Sequence, residues 1–133
     1  MAWTIPEERP LWRKEVTKRQ CTNLEIKDLL QGHEWAEGRA SGWSMVPRVQ
    51  DGDLCLYEPV YGDDQILVGD VVFCQVWPGE QFFAQYVLSA ANLHGVTMFD
   101  IGYCKEAGGG VVGYCTHKEI YGRLVEVVRE KVR

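Results

Sequence analysis

Ser44 stands in the run Ser41-Gly42-Trp43-Ser44-Met45-Val46-Pro47, which leads into Asp51-Gly52-Asp53 and an apolar stretch from Leu54. A hydroxyl mounted at the end of a glycine-led turn projects into a cleft, where it can attack a carbonyl carbon. The backbone N–H groups around it, here those of Gly42, Trp43 and Met45, then face the oxyanion that develops. Gly42 would allow close backbone approach, and Pro47 stiffens the exit of the turn. The chemistry is acyl transfer, and it has one further requirement. A serine hydroxyl is a weak nucleophile until a neighbouring base takes its proton. Without that base, residues 41–53 are a loop into a β structure with an incidental serine.

Other reactive side chains point to ordinary roles. The five cysteines (Cys21, Cys55, Cys74, Cys104, Cys115) are odd in number and form no C-x-x-C pair. Buried free thiols in a reducing compartment are expected, with a Cys104–Cys115 bridge across the glycine-rich loop as the alternative. The three histidines lie near no metal-ligand spacing, and Asp51, Asp53, Asp63, Asp64 and Asp70 read as turn residues rather than a cation site. No metal and no cofactor are expected. Gly108–Gly110 reads as a hairpin tip, since no Lys-Ser/Thr pair follows to make a phosphate loop. Trp43, Trp77, Phe82, Phe83 and Tyr86 are expected in the core or as cleft walls, with an exposed subset as a binding surface.

The elements that must position these groups follow from texture. A chain of 133 residues fits one domain with a real core, and 46% apolar against 25% charged residues argues for a folded chain. Fourteen basic against nineteen acidic residues leave a net charge of −5, which disfavours a phosphate-tracking surface and hence a nucleic-acid partner. No apolar stretch approaches the ~20 residues of a membrane span. The opening "MAWTIPEERPLWRKEV" lacks the apolar centre of a secretory signal, so a soluble, intracellular (cytoplasmic) protein without a membrane partner is expected.

Residues 1–40 carry seven Lys/Arg and seven Asp/Glu and read as an N-terminal helical arm. A first short helix places Leu11, Trp12 and Val16 on one side. A second is capped by Thr22 and Glu25, carries Leu24, Leu29 and Leu30 on its apolar face, and stops at Gly32. As a DNA-binding pair of helices the arm is too short and charge-neutral. Residues 41–133 are β in texture. "DLCLYEP", "DVVFCQVW", "QFFAQYVLSA", "VTMFDIGYC" and "EIYGRLVEVV" are separated by the turns "YGDD", "PGE", "ANLHG" and "EAGGG". This predicts a mainly β fold, a coiled and partly closed antiparallel sheet with a short helical arm.

Taken in order, these pieces resemble the catalytic domain of the LexA and signal-peptidase superfamily of serine–lysine peptidases. The nucleophile turn there reads S-G-x-S-M with a following proline, as in Ser41 to Pro47. Its D-G-D and apolar strand are matched by Asp51-Gly52-Asp53-Leu54, its G-D strand start by Gly69-Asp70-Val71-Val72, and its closing I-x-G-x-V by Ile120-Tyr121-Gly122-Arg123-Leu124. The resemblance spans about residues 40–128. It makes Ser44 the nucleophile position and Pro47, Gly52, Asp53, Gly69 and Asp70 structural turn positions.

The same resemblance expects a lysine, or in one branch a histidine, on the strand after the G-D strand. Ala84-Gln85-Tyr86-Val87-Leu88 falls in that register, with Gln85 at the position of the base and Tyr86 where an arginine is usual. A carboxamide hydrogen-bonds but takes no proton near neutral pH. No lysine or histidine occurs between Arg48 and His94, and Lys105, Lys118, His94 and His117 read as loop or surface residues. The resemblance therefore implies a catalytically degenerate, UmuD-like short form: a peptide-binding, assembly or structural module with a polypeptide partner, homo-oligomerisation included. A small domain of this kind also suits a phage-encoded component incorporated in a particle. The alternative is an active serine peptidase, self-cleaving or acting in trans, with Ser44 and a displaced base.

Overall fold

The computed structural model describes residues 22–42, 45, 47–62, 64–79, 81–103 and 108–129. Helix α1, Asn23–Gln31, begins where the capping pair predicts. Thr22 Oγ1 accepts from the Glu25 N–H at 3.2 Å, and Glu25 Oε1 accepts from the Thr22 N–H at 2.8 Å. The helix closes with the Glu34 N–H on the Leu29 carbonyl and the His33 N–H on the Leu30 carbonyl. The left-handed residue of that closure is His33 (φ 67), whereas the expected stop, Gly32, has φ −81. His33 meets the Tyr61 ring edge-on with centroids 4.7 Å apart, a contact glycine lacks. The helical segment expected around Leu11, Trp12 and Val16 lies outside the described residues.

The buried face of α1 is Ile26 and Leu30, spaced four apart, with Leu29 partly buried. Leu24, expected on that face, is 56% exposed. Two glycines form the floor. A Cβ on Gly122 would stand 2.6 Å from Leu30 Cδ1, and one on Gly38 would stand 2.5 Å from Ile26 Cδ1. The glycine of the closing-strand motif is thus the seat of the helix.

The fold is mainly β, with seven antiparallel strands in a curled half-barrel sheet. They are β1 (Ala36–Arg39), β2 (Leu54–Pro59), β3 (Val71–Gln75), β4 (Phe82–Leu93), β5 (Val96–Gly102), β6 (Val111–Cys115) and β7 (Ile120–Val128). Their order is β1-β2-β7-β3-β4-β5-β6. The five expected strands appear as β2, β3, β4, β5 and β7. Strand β1 lies inside the segment read as a helical arm, so the sheet starts before residue 41. Strand β6 follows the triglycine, whose three residues all have positive φ, and was not anticipated.

The curl brings the residue two beyond β3 back to the last strand. Trp77 and Tyr114 exchange N–H···O bonds of 2.8 and 3.0 Å. Gly113 makes this approach feasible, because a Cβ there would overlap the Trp77 carbonyl and stand 3.0 Å from Val76 Cβ. Alternation along the strands then builds two cores. Val71, Phe73 and Tyr86 join Met45, Tyr57 and α1 in one, while Val72, Cys74 and Val87 join Phe99, Ile101 and Cys115 in the other. Cys55, Cys74 and Cys115 are free and buried. The alternative Cys104–Cys115 bridge is therefore not formed, and Cys21 and Cys104 lie outside the described residues.

Candidate active site

The serine turn is held at both shoulders. On the entry side, the Ala40 N–H donates to the Asp53 carbonyl and the Gly52 N–H to the Ala40 carbonyl, each at 2.8 Å. Asp51 reaches across, its Oδ1 accepting from the Gly42 N–H at 2.7 Å. That donor is thereby committed to a carboxylate. Gly42 has φ 84, and a Cβ there would meet nothing within 4 Å. The glycine is needed for its left-handed backbone, not for the close approach expected from sequence. On the exit side, the Met45 carbonyl accepts from the Val49 N–H at 3.0 Å and from Tyr86 Oη at 2.8 Å. Pro47 is an exposed turn residue, while Trp43, Ser44 and Val46 lie outside the described residues.

The remaining turn positions lock this loop to the sheet. Gly52 and Gly69 have φ 88 and 99, the positive values expected of Asp-Gly and Gly-Asp pairs. Asp53 is 2% exposed. Its Oδ2 accepts from the Gln50 N–H and from Arg129 Nη2, both at 2.8 Å, and Arg129 Nε is 3.1 Å from Oδ1. The Arg129 hydrogen bonds hold the Asp53 carboxyl below its usual range against the opposing effect of burial. Gly69 and Asp70 are stitched to β4 by bonds of 2.9 and 2.8 Å with Val87. Asp70 Oδ2 also caps the Leu67 N–H, and Asp64 Oδ2 the Tyr61 N–H, each at 2.9 Å. These carboxylates serve the backbone. Among the described residues no group of three His, Cys, Asp or Glu converges on a cation position, and Asp63 lies outside them.

Gln85 is buried and lines a cavity of about 130 Å³ together with Ser41, Met45 and Ala84. Tyr57 and Phe73 also line it, with Asn23 and Ile26 of α1 and Gly38 to Ala40 beside them. Among these residues Arg39 is the single charged one, and its Nη1 donates to the Gly52 carbonyl at 3.2 Å. Burial raises the Tyr57 phenol well above its ordinary value, so it stays protonated near neutrality. Burial also pushes the adjacent Cys55 thiol up to about 11. The cavity thus has acceptors and donors but no proton acceptor of useful strength among its described lining residues.

This conclusion does not depend on the exact strand register. Gln85 pairs with Val72 in the ladder, and a shift of one residue either way brings Ala84 or Tyr86 to its place. Alanine has no base, and the Tyr86 hydroxyl already donates to Met45. The described lysines and histidines sit elsewhere. His117 Nε2 lies 3.2 Å from the Asp64 carbonyl with its ring edge-on to Phe99, and Lys118 follows it in the 3-10 turn His117–Glu119. His94 occupies the β4–β5 turn with φ 54, and Lys27 lies over the Phe82 and Tyr121 rings. Lys105 lies outside the described residues.

Two residues that shape this site were not singled out for these roles from sequence. Asp51 looked like one more turn aspartate, yet its carboxylate anchors the serine turn nine residues back. Tyr86 looked like a replacement for an arginine, yet its phenol pins the turn from 41 residues away. A buried tyrosine needs a partner for its hydroxyl, which was the available signal. The expected aromatic walls divide: Tyr86 is buried, Phe82 and Phe83 are half-buried, and Trp77 is 64% exposed. No protein-family model, no curated protein and no solved structure matches the chain.

Proposed function

We propose that this chain is a catalytically silent serine-peptidase-like domain of the LexA and signal-peptidase type, which binds an extended polypeptide as an assembly or structural module. The observation that carries the reading is the cavity beside the serine turn, which Gln85 lines; the sequence resemblance assigns the family's base to that position, and its neighbours Ala84 and Tyr86 supply none. In this reading Ser44 is not activated. The capacity to hold a peptide outlives the loss of the base, because it rests on backbone pairing. Among the described residues β1 is the first strand in the sheet order, and its Gly38 and Arg39 line the cavity, so in this reading a bound peptide extends the sheet on this side. The resemblance itself rests on the four sequence motifs.

Selection from a displayed library of random linear peptides tests this. Enriched peptides should slow amide exchange along Ala36–Arg39 and leave the chain at its intact mass. Failure to enrich any peptide, or enrichment of peptides that protect other strands, would refute the binding role. A truncated product that disappears in Ser44→Ala would refute catalytic silence.

A further inference from the structure

On the half-barrel's closing seam, away from the serine turn, the Trp77 and Tyr114 rings are neighbours, with centroids 5.9 Å apart and planes tilted by 34°. They are 64% and 39% exposed. Together with Glu119, Thr116 and Met98 they line an open groove of about 680 Å³ that shares no lining residue with the cavity beside Gln85. That volume lies within the range of ligand sites.

The exposure of Trp77 is built in. Its N–H and carbonyl are both consumed by Tyr114, and the side-chain-free Gly113 packs against its carbonyl, so the backbone holds the indole outward. The groove also has one sign of charge. Glu119 is its single charged lining residue among those described. Glu119 Oε1 accepts from the Thr116 N–H and Oγ1 at 2.8 and 3.0 Å, which fixes the carboxylate. Its Oε2 accepts no hydrogen bond among the described residues. Two exposed aromatic residues and an anchored carboxylate lining one groove, on a chain of net charge −5, are complementary to a cation with a planar face.

We infer that this groove binds an arginine side chain of an extended basic polypeptide, the guanidinium lying on the Trp77 and Tyr114 rings and donating to Glu119. The groove exceeds what one guanidinium fills, and flanking peptide occupies the remainder beside Met98 and Thr116. The inference is independent of any role for Ser44.

The test is a titration of the ¹⁵N-labelled full chain with acetyl-Gly-Arg-Gly-Arg-Gly-amide, following the Trp77 indole N–H identified through Trp77→Phe. The arginine peptide should shift that signal, and Trp77→Ala should weaken binding about 10-fold. Glu119→Gln keeps an oxygen for the Thr116 cap and should weaken binding about 3-fold, with loss in high salt. The peptide with citrulline in place of arginine should bind more weakly than the arginine peptide by a similar factor. Equal binding of the citrulline peptide, or no shift at Trp77 into the millimolar range, would overturn the inference. So would a Trp77 signal that moves with protein concentration alone and a dimer that dissociates in Trp77→Ala, which would make the groove a self-association face.

Discussion

Tyr86→Phe isolates the contact that holds the serine turn to the sheet. Phenylalanine keeps the buried ring, so no cavity opens and the change removes one hydroxyl. That hydroxyl donates to the Met45 carbonyl at 2.8 Å. The carbonyl keeps its second donor, the Val49 N–H at 3.0 Å, so the acceptor is not orphaned. The loss should therefore be that of an ordinary buried hydrogen bond, about 1 kcal/mol, without the added penalty of an unsatisfied polar group. With a urea slope of about 2 kcal/mol/M, the unfolding midpoint should fall by roughly 0.5 M. Tyr86→Ala, which also empties the ring's volume, should cost about 3–5 kcal/mol. Amide exchange of Val49 and Gly42 should accelerate in Tyr86→Phe, while strands β5 and β6 keep their protection. An unchanged midpoint together with unchanged Val49 exchange would refute the role given to the phenol. A loss of 3 kcal/mol or more would mean that the carbonyl has no second partner.

Three further outcomes follow from the same contacts. Asp53 has a lowered carboxyl value, so its contribution is fully present above about pH 4 and is lost as pH falls through the lowered value; Asp53→Asn should cost roughly 2 kcal/mol near neutrality in urea unfolding and flatten the acid limb of stability against pH. Cys55, Cys74 and Cys115 should resist a thiol reagent at neutral pH until the chain unfolds, as peptide mapping would reveal. Because the Cys55 thiol is raised to about 11, its share of stability should be present below about pH 8.5 and fade as pH rises toward that value. Gly113→Ala forces a methyl onto the Trp77 carbonyl, and should destabilise by about 1–3 kcal/mol in urea unfolding while perturbing the Trp77 and Tyr114 signals first.

Local signals were the legible part of this fold. The Thr22–Glu25 cap, the β-branched and aromatic strands β2, β3, β5 and β7 and the Asp-Gly turns are each written within a few residues, and each stands where expected. What escaped depends on distant partners. Strand β1 reads Ala-Glu-Gly-Arg, with no β-branched residue, and becomes a strand because β2 pairs with it. Strand β6 is five residues long, follows three glycines that read as a hairpin tip, and is fixed by β5 on one side and Trp77 at the seam. The helix ends at Gln31 as expected, but the left-handed residue is His33 and not Gly32, and its ring meets that of Tyr61, 28 positions on. The face of α1 turned from Leu24 to Ile26 because the glycine seats, Gly38 and Gly122, lie under Ile26 and Leu30.

The candidate site divides along the same line. The turn glycines and the lack of a lysine or histidine at 84–86 were legible, since both are statements about residue type. The commitment of the Gly42 N–H to Asp51 and of the Tyr86 phenol to Met45 was not, because neither spacing nor propensity encodes a side chain's reach across a loop. Tyr86 also changes meaning. Read as a lost arginine, it supported decay of a catalytic site; in the fold it has a structural task of its own.

The most direct measurement of the proposed silence is intact-mass analysis after incubation with a fluorophosphonate across pH 7–9, wild type beside Ser44→Ala. If the chain is silent as proposed, wild type should gain no adduct beyond that of the variant and should show no self-cleavage product. A stoichiometric adduct on wild type, absent from Ser44→Ala, would mean that Ser44 is activated and that the chain is a working serine hydrolase.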